Sequence, residues 1–166
     1  MTIKVIDNFL KKEEFNILKE SILPEPSKNY FPWYFQQDKV FPGDSGKQFT
    51  HIFYTNFKVN SEHFDIILPV LNKLGIYALR KVKINLTLPE KEFGKYGFHR
   101  DFEDEHKVAK TGIFYFNNTN GPTVFENGES VNCIENRMVI FPSHYKHAGS
   151  FHTSDGERVV LNINWY

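Results

Sequence analysis

His99-Arg100-Asp101 places an imidazole and a carboxylate two positions apart, and His147 and Arg158 follow further along the chain. On an extended strand, side chains at i and i+2 share a face, so His99 and Asp101 can reach one metal ion together. A distant histidine would complete a 2-His-1-carboxylate facial triad. That ligand set holds non-heme Fe(II) by one octahedral face and leaves the other face open. His147 is the first choice for the third ligand, because it follows a strand ending at Phe141 after a short turn with Pro142-Ser143. His144 and His152 are the alternatives. A His-x-Asp triplet is common by chance, so its weight comes from the rest of the constellation.

The last strand supplies much of that weight. Arg158, Val160, Asn162 and Asn164 alternate with Val159, Leu161, Ile163 and Trp165, so one face is polar and the other is core. An arginine on a buried face calls for a planar anion, and a carboxylate matches its fork. A solvated face, or a structural Asp or Glu partner, is the ordinary explanation. Beside the histidines, a ligand carboxylate is favoured, which points to a small dicarboxylate in the open face of the metal. Asn85 and Thr87 lie on the polar face of a strand over Ala78–Leu88 and could hydrogen-bond the same ligand. Tyr115, between Phe114 and Phe116, could supply a phenol. Lys81 and Lys83, on the same face as Asn85, read as solvated.

These residues need a sheet to carry them. After Gly75 the apolar period becomes two: Val82, Ile84, Leu86 and Leu88 alternate with Lys81, Lys83, Asn85 and Thr87. Further strands are expected near Thr111–Asn117, Thr123–Phe125, Ser130–Ile134, Arg137–Phe141 and Arg158–Trp165. Turns are expected at Asn117–Pro122 and Asn127-Gly128. Many short strands at this spacing suggest a sandwich or jelly roll.

Upstream, Ile3–Ile6 reads as a short strand. Asp7 or Asn8 is placed to cap a helix whose Phe15, Leu18 and Ile22 form one stripe, and Pro24 and Pro26 end it. Ser61 can cap a second helix running to Leu74, kinked or restarted at Pro69 and stopped at Gly75. Residues 28–57 are dense in aromatics broken by Pro and Gly, readable as a satellite core or as a lid, with the core favoured. The whole of 1–166 reads as one mainly β domain. In it, 1–77 forms a helical brace with the aromatic lid region, and 78–166 forms the core with the metal site.

Composition narrows the function classes. The 20 Lys+Arg balance the 20 Asp+Glu, so nothing drives the chain toward nucleic acid or an anionic membrane. The single cysteine, Cys133, cannot form an internal disulfide. The first residues lack the apolar run of a signal peptide and no membrane span is evident, so a cytoplasmic protein is expected.

The motif His99-x-Asp101…His147…Arg158 in a strand-rich half resembles the Fe(II)/2-oxoglutarate-dependent oxygenases. Thr111–Asn117, the Asn118–Thr123 turn, Asn136–Ser143 and Arg158–Asn162 look like the small prolyl-4-hydroxylase-like members of bacteria and phages. The resemblance covers residues 78–166 well and the N-terminal half loosely. It implies a double-stranded β-helix (jelly roll, cupin-like) with metal ligands at its open end. It also implies that His99, Asp101 and His147 bind Fe(II), and that Arg158 grips the distal carboxylate of 2-oxoglutarate. Asn85, Thr87, Tyr115 and Asn162 would complete the co-substrate site, O₂ would be the second co-substrate, and ascorbate is a further candidate. The implied reaction hydroxylates a C–H bond and releases succinate and CO₂. The substrate would be a peptidyl prolyl or other side chain, or a small molecule, with nucleic acid disfavoured. The competing readings are a non-enzymatic jelly-roll module that binds a small molecule, and a cupin-type enzyme using another metal.

Overall fold

A computed structural model describes residues 2–23, 30–38, 46–102 and 108–166. In chain order the first elements are β1 (Lys4–Ile6), α1 (Lys12–Ile22), β2 (Tyr34–Gln36), β3 (Gln48–Thr55), β4 (Lys58–Val59) and α2 (Leu68–Leu74). Then come β5 (Leu79–Thr87), β6 (Lys110–Tyr115), β7 (Thr119–Phe125), β8 (Ser130–Cys133), β9 (Met138–Pro142), β10 (His147–Gly149) and β11 (Arg158–Trp165). The major sheet runs β1-β9-β6-β11-β5-β3-β2, with β4 paired to β3, and the minor sheet runs β10-β7-β8.

Period-two alternation decides what each face of the major sheet packs against. Val82 and Ile84 of β5 and Val159, Leu161 and Ile163 of β11 point to the helical side, where they pack with Phe15, Leu18 and Ile22 of α1. Burying side chains of this size stabilises the fold by about 1.5–3 kcal/mol each. The other face meets the minor sheet: Ile113, Tyr115, Val139, Phe141 and Val160 pack with Phe125, Val131 and Cys133. This is the expected jelly roll, braced by helices on one face.

Several local expectations change. α1 begins after Lys11, whose N–H donates to Glu14 at 3.3 Å. Asp7 instead takes two hydrogen bonds from the Arg137 guanidinium, which holds its carboxyl below the usual range. Asn8 turns the chain at φ 49°. Pro24 and Pro26 lie outside the described residues. Between Ser61 and Leu74 a single 3-10 turn, Phe64–Ile67, comes first; α2 then begins at Leu68 with Pro69 in its first turn and is capped by Gly75 at φ 63°. β7 begins at Thr119, inside the expected turn, and a register shift between Thr119 and Thr123 absorbs the irregular stretch. The described aromatics of the 28–57 stretch divide. Phe31 and Phe53 join the main core and Trp33 packs against it, whereas Tyr30, Tyr34, Phe35 and Phe57 are exposed.

His51 ties this region down. Its Nδ1 lies 2.8 Å from the Pro32 carbonyl and its Nε2 lies 2.7 Å from Ser61 Oγ. A neutral ring donates to the carbonyl and accepts from the hydroxyl, which satisfies both partners. Burial pushes its pKa down, the Pro32 carbonyl opposes this and His63 reinforces it. A histidine lowered in the fold contributes stability that is complete above its unfolded value and is lost as pH falls through the folded one. Melting temperature should therefore drop more steeply in the wild type than in His51→Gln as pH falls below about 6.5. Parallel slopes in thermal melts would show that His51 does not carry this dependence.

Candidate metal centre and the cavity beside it

His99 and His147 are backbone partners. Each donates its N–H to the other's carbonyl at 3.0 Å, making an isolated antiparallel bridge. Residues opposed in this way project their side chains from the same face, and the two rings stand 4.7 Å apart. His147 opens β10, a strand of three residues that pairs with β7. Phe141 packs edge-on against the His147 ring at 4.8 Å.

Each imidazole is oriented by a carbonyl two residues upstream. His99 Nδ1 lies 3.3 Å from the Gly97 oxygen and His147 Nδ1 lies 3.1 Å from the Tyr145 oxygen. A carbonyl at Nδ1 requires the proton there, so a neutral ring carries its lone pair on Nε2. His147 Nε2 is directed toward Asp101, 4.0 Å from Oδ2. One ligand atom from each of His99, Asp101 and His147 lies within 4.8 Å of the others.

Asp101 is held from the floor of the site. Thr111 donates to Oδ2 at 2.8 Å and Asn164 at 2.9 Å, while Asn162 approaches both oxygens at 3.3 Å. Asn164 also donates to Thr111 Oγ1 at 3.0 Å, so Thr111, Asn164 and Asp101 form a closed triangle. Burial is the largest single influence on Asp101 and raises its pKa. Attraction to His147, the bonds from Thr111 and Asn164, and attraction to His99 together outweigh it, so the carboxyl sits below its ordinary value and is ionised. Two imidazoles and a carboxylate, each anchored by an outer partner, suit a first-row divalent metal.

A cavity of about 240 Å³ opens beside this cluster, and Arg158 forms part of its wall. Arg158 is only 4% exposed. Its Nε donates to the Gly121 carbonyl at 2.9 Å and one Nη to Thr123 Oγ1 at 3.2 Å. Among the described residues no Asp or Glu pairs with it, so its charge is compensated only by neutral oxygens and the face of Tyr115, whose centroid is 5.6 Å away. A buried cation without an anion costs several kcal/mol, and a carboxylate entering the cavity would remove that cost. Asn85 lines the same cavity, and its Oδ1 is buried without a partner. Thr87 stands directly across from Arg158 in the β5–β11 register. Turned about its amide, Asn85 would offer an N–H to the same ligand.

Three expectations are revised. Tyr115 does not line the cavity: its hydroxyl donates to Thr123 Oγ1 at 2.7 Å, and burial pushes its pKa up to about 12. It supports Arg158 from behind. Asn162 faces the cavity but spends its amide on Asp101. Lys81 and Lys83 are half-buried cavity residues, not solvated ones.

The alternative histidines take other places. His152 is fully buried, with Nε2 3.2 Å from the Thr87 carbonyl and Nδ1 3.3 Å from Ser154 Oγ. His144 stacks edge-on with Tyr145 and gives its carbonyl to Arg100. Thr111, Asn164 and Thr123 were not singled out from the sequence. The alternation of β11 placed Asn164 on the polar face, which was the available signal, whereas Thr123 emerges only when β7 folds over β11.

No protein-family model and no curated protein matches the sequence. Solved structures do match. A viral collagen prolyl hydroxylase from Paramecium bursaria Chlorella virus-1, in complex with 2OG, is similar with a TM-score of 0.65 and 16% identity, over 99% of this chain and 94% of that one. An oxidoreductase of the 2OG-Fe(II) oxygenase family from Burkholderia pseudomallei gives 0.69 and 14% over 98% and 84%. The non-heme alpha ketoglutarate dependent epimerase SnoN from nogalamycin biosynthesis gives 0.70 and 10% over 98% and 77%. The chain therefore has the jelly-roll fold of these oxygenases over essentially its whole length. Among its described residues no helix is long and apolar enough to cross a membrane.

Gly121 joins the cavity to the loop after β10. A Cβ there would lie 2.9 Å from His152 Cβ, 3.1 Å from the Ser150 oxygen and 3.2 Å from the Phe151 oxygen. Two of those neighbours are backbone and cannot yield cheaply. Gly121→Ala should cost about 1–3 kcal/mol in denaturant unfolding. An unchanged midpoint would show that the loop can move aside.

Proposed function

We propose that this chain is an Fe(II)- and 2-oxoglutarate-dependent oxygenase that hydroxylates a C–H bond and releases succinate and CO₂. The observation that carries the reading is the pairing of two sites in one cavity. A backbone-locked His99, Asp101 and His147 cluster stands beside Arg158, a buried guanidinium that no carboxylate of the described chain compensates. A binding module has no use for the first, and a cupin-type enzyme with another co-substrate has no use for the second. The similar folds include a prolyl hydroxylase and an epimerase, and we take hydroxylation of a side chain or small molecule as the reaction here.

In this reading His99, Asp101 and His147 hold Fe(II), and Arg158 takes the distal carboxylate of 2-oxoglutarate with help from Thr87 and Asn85. When bound, the iron supplies oxidative decarboxylation of the keto acid and activation of O₂. The protein's own work is orientation. The Gly97 and Tyr145 carbonyls fix each ring's orientation through Nδ1 and so aim Nε2, Thr111 and Asn164 favour the ionised Asp101 carboxylate, and Asn162 helps to aim it. Thr123 and Gly121 hold the guanidinium in one plane. Its fork then accepts a carboxylate through two parallel hydrogen bonds.

Succinate release from 2-oxoglutarate, measured with added Fe(II), tests this directly. His99→Ala should abolish it, and Arg158→Ala should raise the co-substrate KM by about 100-fold, the cost of leaving one buried ionic partner unpaired. A His99→Ala protein that still turns over 2-oxoglutarate contradicts the assignment. Asn164→Ala, which touches neither metal nor co-substrate, should weaken divalent-metal affinity by about 10–100-fold. Metal binding unchanged in that variant would remove the role given to the Asp101 cradle.

A further inference from the structure

Lys81 and Lys83 are the feature that the proposed reaction does not use. Both line the cavity, half-buried, on the same face of β5 as Asn85 and Thr87. Neither ammonium makes an ion pair or hydrogen bond among the described residues. Their neighbours across the sheet are neutral: Lys83 lies between Ile52 of β3 and Asn162 of β11, and Lys81 faces Asn164. Burial lowers the Lys83 pKa to about 8, repulsion from Lys81 adds to this, and Asp101 opposes it. Two like charges at i and i+2 in a shared cavity repel each other, and partial burial adds a desolvation cost. An anion placed between them would relieve both costs.

The co-substrate does not fill that role. Arg158 is paired with Thr87, and Lys83 with Asn162. The two cations are thus four strand positions apart, roughly 13 Å along the sheet. Asn162 and Asn164, opposite the lysines, are the residues that bind Asp101. The lysines therefore stand at the metal end of the cavity, on the far side from Arg158. The charge count agrees. Arg100 also borders the cavity, but it is exposed, so solvent screens its charge. Arg158, Lys81 and Lys83 then face one carboxylate, Asp101, in the cavity wall. Fe(II) and a 2-oxoglutarate dianion cancel each other, so a surplus of positive charge remains beside the metal.

We propose that Lys81 and Lys83 bind the anionic group of a small-molecule substrate, a carboxylate or phosphate, and so hold its C–H bond next to the metal. This rests on the oxygenase reading and narrows its substrate class. A neutral prolyl peptide would leave the two lysines uncompensated.

Calorimetry on protein loaded with Zn(II) and 2-oxoglutarate, titrated separately with inorganic phosphate and with acetate, tests the site without turnover. At least one anion should bind, and its affinity should fall by about tenfold or more in K81M/K83M, while 2-oxoglutarate affinity stays within about twofold. The arm that binds tells phosphate from carboxylate. The K83M single variant serves if the double variant does not fold. The proposal is overturned if neither anion binds, if the variant binds as well as the wild type, or if the variant loses 2-oxoglutarate instead. Glu103, Asp104 and Glu105 follow the metal cluster in sequence and lie outside the described residues. Binding that appears only in E103Q/D104N/E105Q would mean these acids already neutralise the lysines, which also overturns it. A wild type that takes up neither Zn(II) nor 2-oxoglutarate removes the oxygenase reading. Phosphate and acetate titrations of the metal-free wild type and K83M then test the lysine site alone, and equal affinities overturn it.

Discussion

Two hydrogen bonds between the backbones of His99 and His147 are the constraint on which the site depends. They join a loop after β5 to the start of β10, segments far apart in sequence, and set both imidazoles on one face. Everything close to the cluster is indexed from that pair. The orienting carbonyls, Gly97 and Tyr145, lie two residues upstream of each histidine, and Asp101 lies two residues downstream of His99. If the pair slipped by one position, one imidazole would turn to the opposite face and the cluster would come apart. A three-residue strand is a weak element by itself, and its stability comes from pairing with β7 on its other edge.

The second organising feature is a polar face shared by two strands whose opposite faces are apolar. β5 and β11 each present one polar row to the cavity and one apolar row to the helices. The polar rows carry the groups that favour anions at both ends, Arg158 at one and Lys81 with Lys83 at the other, and Asp101 with its amide cradle lies toward the lysines. Burying polar and charged groups costs free energy. The fold tolerates the cost because the opposite faces of the same strands bury Val82, Ile84, Leu161 and Ile163 completely. Stability and chemistry are thus carried by alternate residues of the same two strands.

Much of this was legible in the sequence, for a physical reason. The period-two alternation of Arg158–Trp165 and of Ala78–Leu88 fixes which side chains face which side, so the shared polar face of Arg158, Asn85 and Thr87 could be read from it. His99 and Asp101 share a face by the same rule. What was not legible depends on contacts between distant strands. The burial of Lys83 follows from which strands flank β5. The withdrawal of Tyr115 behind Thr123 follows from how β7 closes over β6. The start of α1 after Lys11 follows from Asp7 being taken by Arg137 and from Asn136, whose side chain exchanges hydrogen bonds with the backbone of Leu10. Each of these contacts joins different elements, so the pattern within one element could not find them.

The central claim is that one cavity couples a metal held by His99, Asp101 and His147 to a keto acid held by Arg158. Anaerobic titration of the metal-free protein with Fe(II) and then 2-oxoglutarate, followed by visible absorption, tests that coupling in one vessel. The account predicts a metal-to-ligand charge-transfer band that appears only when both are present and is absent in His99→Ala. In Arg158→Ala the band should need far more 2-oxoglutarate to form. A folded protein that binds Fe(II) yet shows no band on adding 2-oxoglutarate would contradict it.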